Sequence, residues 1–169
     1  MRCCGTVIAG LPSPALTRLL RLHVALANFP IADVVEARVM LERLSARLAA
    51  EHATETDLKA MEAALDGMDH PSVSQETFNE LDTQFHVAVA EAGGNRLVAD
   101  MTIAIRASMH APILRAYAEL DDWQSLANRL RSEHRATFEA IRRRDTQAAS
   151  DLIDQHIRSA YQSLPALHR

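Results

Sequence analysis

Glu80-Leu81-Asp82-Thr83-Gln84-Phe85-His86 sets a carboxylate and an imidazole four residues apart among apolar positions. Phe78, Leu81, Phe85 and Val89 recur at the helical period, so the stretch reads as an amphipathic helix. Asp82 and His86 then project from one side of it, a turn apart, at the edge of the apolar arc. Two later helix-period segments carry a histidine on the same kind of face. His134 lies amid Ala127, Leu130, Phe138 and Ile141, and His156 amid Ala149, Leu152, Ile153 and Ala160. A single histidine on an apolar face is ordinarily a packed, hydrogen-bonded core residue. Three of them with an aspartate would each need a separate buried partner, whereas one divalent cation serves all four. Asp82, His86, His134 and His156 are therefore the predicted metal ligands. This donor set suits zinc first, with nickel, manganese or iron(II) as alternatives. On an ion that takes more than four ligands, it leaves positions for water or a ligand's carboxylate.

Two arginines belong with this cluster. Arg106 shares an arc with Ala99, Ile103, Met109 and Ile113 and is predicted to face the core. Arg38 lies at the edge of an apolar face beside Val34 and Val35. A buried guanidinium needs an anion. For Arg106 that is a ligand anion or an interior carboxylate; Arg38 meets a ligand anion or Glu42, one turn on, or keeps an exposed head on a buried stem. Both arginines are carried forward as effector-binding candidates. His110, a turn beyond Arg106, reads as structural.

The rest of the chain is helix after helix. Residues 15–28 give a short amphipathic helix with Leu16, Leu19, Leu20, His23 and Leu26. Residues 31–50 carry Val34, Ala37, Leu41, Leu44 and Leu48 at the helical period, with Asp33 as a cap. Thr54-Glu55-Thr56-Asp57 resembles a capping box for a helix that stops at Gly67. Ser72 or Ser74, Asn95, Asp121 or Asp122, and Asp145 open the four helices that follow, the second of them bent at Pro112. Arg142-Arg143-Arg144 reads as a solvated helix end. No segment alternates like a strand. The predicted fold is an all-α antiparallel bundle of six to seven helices.

At 169 residues, with 48% hydrophobic and 24% charged residues, the chain suits one globular domain. A net charge of -4 argues against a nucleic-acid surface on the body of the chain. Adjacent Cys3 and Cys4 cannot build a disulfide framework, which makes the cytoplasm the default compartment. No apolar run approaches the roughly 18 residues of a membrane span. Neither a Gly-rich phosphate loop nor a nucleophile–base signature is present.

The segments Asp33-Val34-Val35-Glu36-Ala37-Arg38, Leu81–His86, Gly94-Asn95-Arg96-Leu97, Glu133-His134-Arg135 with Ala140-Ile141 and Asp145, and His156-Ile157 resemble a known domain. It is the C-terminal effector-binding and oligomerisation (FCD) domain of the FadR subfamily of GntR-type transcription regulators. The resemblance covers about residues 31–162. It implies a divalent metal held by Asp82, His86, His134 and His156, and a small carboxylate effector received by the metal and nearby arginines. Arg38 sits in the family's E-x-R segment, and Arg106 matches less closely. It further implies a homodimer, with DNA contacted only through an N-terminal winged helix-turn-helix. Gly5-Thr6-Val7 resembles the last strand of such a wing. Residues 1–30 are accordingly expected to be wing remnant plus linker helix, and 31–164 the sensor domain. The expected function is ligand sensing, not enzymatic turnover. A helical-bundle metalloenzyme with the same Asp/His site is the alternative, but no separate general base or nucleophile stands out and the paired Glu-x-x-His motifs of di-iron bundles are absent. A ligand-free dimerisation module would leave three inward histidines unexplained.

Overall fold

The computed structural model describes residues 14–27 and 29–168. Seven α-helices follow one another: α1 Pro14–Leu26, α2 Ile31–His52, α3 Glu55–Met68, α4 Gln75–Ala92, α5 Arg96–Ala118, α6 Trp123–Arg142 and α7 Thr146–Gln162. A 3-10 turn, Pro165–His168, closes the described chain. Among the described residues no strand occurs, so the all-α bundle of six to seven helices is what the chain adopts. The expected wing strand at Gly5-Thr6-Val7 lies outside the described residues.

The caps explain the helix boundaries. Thr54 accepts from the Asp57 backbone N–H at 3.3 Å, and the Asp57 carboxylate accepts from the Thr54 N–H at 2.8 Å. Ser74, Asn95, Asp122 and Asp145 each accept one first-turn N–H of their helix. Thr54→Ala should therefore lower stability by about 1 kcal/mol in a urea titration, the worth of a typical N-cap. A midpoint equal to that of the parent would show that the box contributes nothing.

Three sequence expectations need correction. Asp33 is not the cap of α2. Pro30 occupies that position, without a side-chain cap, and Asp33 lies in the first turn. Gly67 does not stop α3, which runs to Met68. A Cβ on Gly67 would come within 2.9 Å of Leu81 Cδ1, so the glycine lets α4 approach closely. The Arg142-Arg143-Arg144 run is exposed, as expected of a solvated helix end, but Arg144 also has a structural task. It adopts φ 62°, and its guanidinium donates to the carbonyls of Ala50 at 3.2 Å and Ala53 at 2.6 Å, satisfying the C-terminus of α2. Lastly, the apolar stripe expected on α1 is not buried where its side chains are described: Leu19 and Leu26 are 63% and 74% exposed.

α2 packs most extensively on α7, α3 on α4, and α5 on α4, with α6 beside α7 and α3. Phe78, Phe85, Leu130, Ile141, Ile153 and Ile157 are fully enclosed between them. Each such side chain contributes about 1.5–3 kcal/mol on burial. By length and composition α5 is apolar enough to cross a membrane. In this fold it is packed against α1, α2 and α4, with Arg106 buried at its middle.

The inward faces of α2 and α4 depart from the hydrophobic pattern. Leu41, Leu44 and Leu48 are half-buried, while Arg38, Glu42 and Ser45 are buried. On α4, Leu81 is half-buried, and Asp82 and His86 sit among the buried residues instead of at an edge. The bundle is built around a polar centre, and that centre sets the rotation of both helices.

Candidate metal centre

One donor atom from each of Asp82, His86, His134 and His156 lies within 4.8 Å of every other, and all four residues are buried. α4 supplies the first two, α6 the third and α7 the fourth. His86 Nε2 is 3.2 Å from His134 Nε2, and His134 Nε2 is 3.1 Å from Asp82 Oδ1. His86 Nε2 is 3.8 Å from the same oxygen. An ion with bonds of about 2.0–2.2 Å places neighbouring ligands roughly 3.0–3.5 Å apart; the two contacts of His134 Nε2 have that spacing, and the His86–Asp82 pair is wider. Imidazole and carboxylate donors in this number fit a borderline divalent cation. The structure thus brings together all four residues that the sequence singled out.

Around them stands a ring of partners. Glu42, 2% exposed, lies 2.5 Å from His86 Nδ1 and accepts from Arg38 Nε at 2.8 Å. Arg106 donates through Nη2 to Asp82 Oδ2, and its Nη1 lies 3.5 Å from both oxygens of Glu42. Glu133 lies 2.8 Å from His156 Nδ1 and accepts from the Ser159 hydroxyl at 3.0 Å. Arg38 also donates to the Tyr161 hydroxyl at 2.9 Å. Both arginines thus meet interior carboxylates, and Arg38 meets Glu42, as its spacing allowed. His110 stays outside the cluster, and its backbone carbonyl accepts from Asn79. Reading the sequence alone did not single out Glu133 as an orienting partner. It is a half-buried residue one before His134, and its approach to His156 exists only once α6 and α7 are packed together.

Burial alone would raise the carboxyls of Asp82 and Glu42. For Asp82 the Arg106 guanidinium and the His134 hydrogen bond outweigh it, and for Glu42 Arg38, His86 and Arg106 do. Both are held well below the usual carboxylate range. Burial, aided by Arg106 and opposed by Glu42, pushes the His86 imidazole down to about 3. Burial and His134 hold His156 well below its ordinary value. Both rings are therefore favoured neutral, with a lone pair available to a cation. Folded-state values below the unfolded one give stability that is complete above about pH 6.5 and is lost as pH falls toward the folded values. With chelator present, unfolding free energy should decline between pH 6.5 and 4.5 by up to about 1.4 kcal/mol per pH unit for each of the two histidines. Below that, Glu42 and Asp82 add to the loss as their own unfolded values are passed. Urea midpoints that stay flat from pH 7 to 5 would contradict the buried neutral state.

Beside the donors lies a cavity of about 20 Å³, lined by Arg38, Asp82, Tyr117, His156 and Tyr161 among others. That is room for about one water molecule. Arg38 lines it, whereas Arg106 does not and is engaged with Asp82 and Glu42.

The model of the FCD domain matches residues 33–159, most of the chain. The chain belongs to the FCD family. This FCD domain, of the GntR type, is 36% identical over 119 residues to the galactonate operon transcriptional repressor of Escherichia coli (strain K12), covering 70% of the chain and 51% of that protein. It is 28% identical over 139 residues to the HTH-type transcriptional repressor NanR of Cronobacter sakazakii (strain ATCC BAA-894), covering 81% and 52%. The FCD domain thus spans about half the length of the curated relatives it matches. Its fold is shared with E. coli McbR/YncC, with a TM-score of 0.67 at 17% identity over 78% of this chain and 64% of that one. Streptococcus agalactiae GntR superposes with a TM-score of 0.65 at 24% identity, over 86% and 60%.

Proposed function

We propose that this FCD domain is the ligand-sensing part of a transcription regulator, holding a divalent cation at Asp82, His86, His134 and His156 and recognising a small organic acid beside it. The observation that carries the reading is the convergence of four buried donors on one point. Zinc is the first choice of ion. The acid's carboxylate takes a coordination position from water, and Arg38, on the wall of the adjoining cavity, supplies a second, charge-assisted contact. Arg106 acts on the anion only after exchanging Asp82 or Glu42, so its first role is to hold Asp82. The name of the 36% identical relative refers to galactonate, a hydroxy acid, which favours that chemical class. Repressor relatives also favour a regulator over a metalloenzyme. DNA contact is assigned to a winged helix-turn-helix in the whole regulator, since this chain carries a net charge of -4. A cytoplasmic homodimer is the expected working form, and exposed Leu19, Leu22 and Leu26 on α1 offer apolar surface for association.

Since the cavity holds about one water, an organic acid must displace side chains such as Tyr117 and Tyr161 to enter. Tyr117 packs against the single Trp123, tilted by 45° with ring centroids 4.6 Å apart, so tryptophan emission reports on that movement. Titrating hydroxy acids, galactonate included, into zinc-loaded protein should change Trp123 emission and give a calorimetric isotherm. Arg38→Lys, which keeps the charge but loses the fork, should weaken binding by about 1.5 kcal/mol. Equal affinity with excess chelator would defeat metal-mediated recognition.

A further inference from the structure

The three imidazoles of the cluster are not equivalent. His86 and His156 each turn Nδ1 to a carboxylate, Glu42 at 2.5 Å and Glu133 at 2.8 Å. A carboxylate accepts and cannot donate, so each of these Nδ1 atoms carries the proton and each Nε2 keeps its lone pair. His134 is arranged the other way round. Its Nδ1 is buried with no hydrogen-bond partner, while its Nε2 lies 3.1 Å from Asp82 Oδ1 and 3.2 Å from His86 Nε2. Asp82 is a carboxylate, and His86 Nε2 is an acceptor once its Nδ1 donates to Glu42. Both neighbours of His134 Nε2 are therefore acceptors, which puts the His134 proton on Nε2, the atom that faces the other donors.

We propose that Glu42 and Glu133 are positioning residues that present the Nε2 lone pairs of His86 and His156 to a cation, and that His134 is the one ring whose proton must move, from Nε2 to Nδ1, for the cation to bind. The inference rests on the metal reading given above and deepens it. Its balance is simple. The N–H bond at Nε2 breaks, an N–H bond at Nδ1 forms by exchange with water, and the freed Nε2 lone pair makes the bond to the ion. Ring charge is unchanged by the shift. Glu133 and Glu42 differ in what else they hold. Glu133 accepts from Ser159 and lies 3.5 Å from Arg129 at the edge of the bundle, whereas Glu42 also anchors Arg38 and Arg106. Glu133→Gln is accordingly the cleaner variant, because it keeps shape and leaves the arginine network intact. Carboxylates behind metal-binding histidines typically govern affinity by about 10–100-fold.

The test combines imidazole nitrogen NMR with a zinc-chelator competition on the full chain. Before zinc is added, His86 and His156 should show the Nδ1–H form and His134 the Nε2–H form. Saturation with zinc should leave the first two unchanged and convert His134 to Nδ1–H. Glu133→Gln should weaken zinc tenfold or more with the fold intact by circular dichroism, and Glu133→Asp should recover part of the loss. An Nε2–H form at His156, or an Nδ1–H form at His134 before zinc is added, would overturn the assignment. Wild-type zinc affinity in Glu133→Gln would overturn the positioning role while leaving the metal site standing. Failure of the parent protein to bind zinc, nickel or manganese would overturn both.

Discussion

Arg106→Ala should destabilise the chelated protein by about 3–5 kcal/mol, the cost of removing one partner from a buried ion pair. The guanidinium is 4% exposed and donates to Asp82, itself 6% exposed, while facing Glu42 across 3.5 Å. Deleting it leaves Asp82 without its guanidinium partner in an interior that cannot solvate it. Glu42 suffers less, because Arg38 still donates to it at 2.8 Å. A domain of this size has roughly 5–15 kcal/mol of stability in total, so the loss would be plain in a urea titration. Two further measurements separate charge from packing. The double variant Asp82→Asn with Arg106→Met should recover much of the loss, since neither charge then remains buried. Saturating zinc should also recover part of it, because the cation replaces the guanidinium as the counter-charge of Asp82. A single variant as stable as the parent would show that the Arg106–Asp82 contact contributes nothing net.

The network behind this expectation was only partly legible in the sequence. Asp82, His86, His134 and His156 stood out because polar donors recur on faces whose other members are apolar, and the helical period carries that information directly. The fold class was legible for the same reason, with Thr54, Asn95 and Asp145 marking where helices begin. The rotation of α2 was not. Its hydrophobic period selects Leu41, Leu44 and Leu48, yet Arg38 and Glu42 face the centre. Periodicity treats charge as an outward signal, whereas here Glu42 is balanced by Arg38, Arg106 and His86 from three different helices. That balance exists only once α2, α4 and α5 are packed, so no local window contains it. Gly67 misled for a related reason. A glycine near a helix end reads as a stop, but its lack of a side chain is used here by Leu81, fourteen residues on.

The same packing means that a cation and the fold should stabilise one another. The donors come from α4, α6 and α7, so an unfolded chain has no comparable site, and any ion that binds the native centre shifts the folding equilibrium by mass action. With free zinc at 100 to 1,000 times the dissociation constant, the gain is about 2.7–4.1 kcal/mol. Chelator should remove that increment, lowering the thermal midpoint by roughly 2–4 °C for each kcal/mol lost in a domain of this length. His134→Ala is the decisive variant. Its ring is fully buried at the middle of the cluster, 4.3 Å in centroid distance from His156 and 5.2 Å from His86. Truncation deletes one ligand and opens a cavity beside Phe85, which packs on the ring at 5.0 Å. The variant should therefore lose stability even with chelator present, and should also lose most of the increment that zinc gives the parent. The two losses have separate causes, and only the second reports on the metal. Bound zinc measured by elemental analysis should fall from near one per chain to well below it, and further still in His134→Ala/His156→Ala. A double variant that keeps a full equivalent of zinc and the parent's zinc-dependent gain in midpoint would place the metal somewhere else.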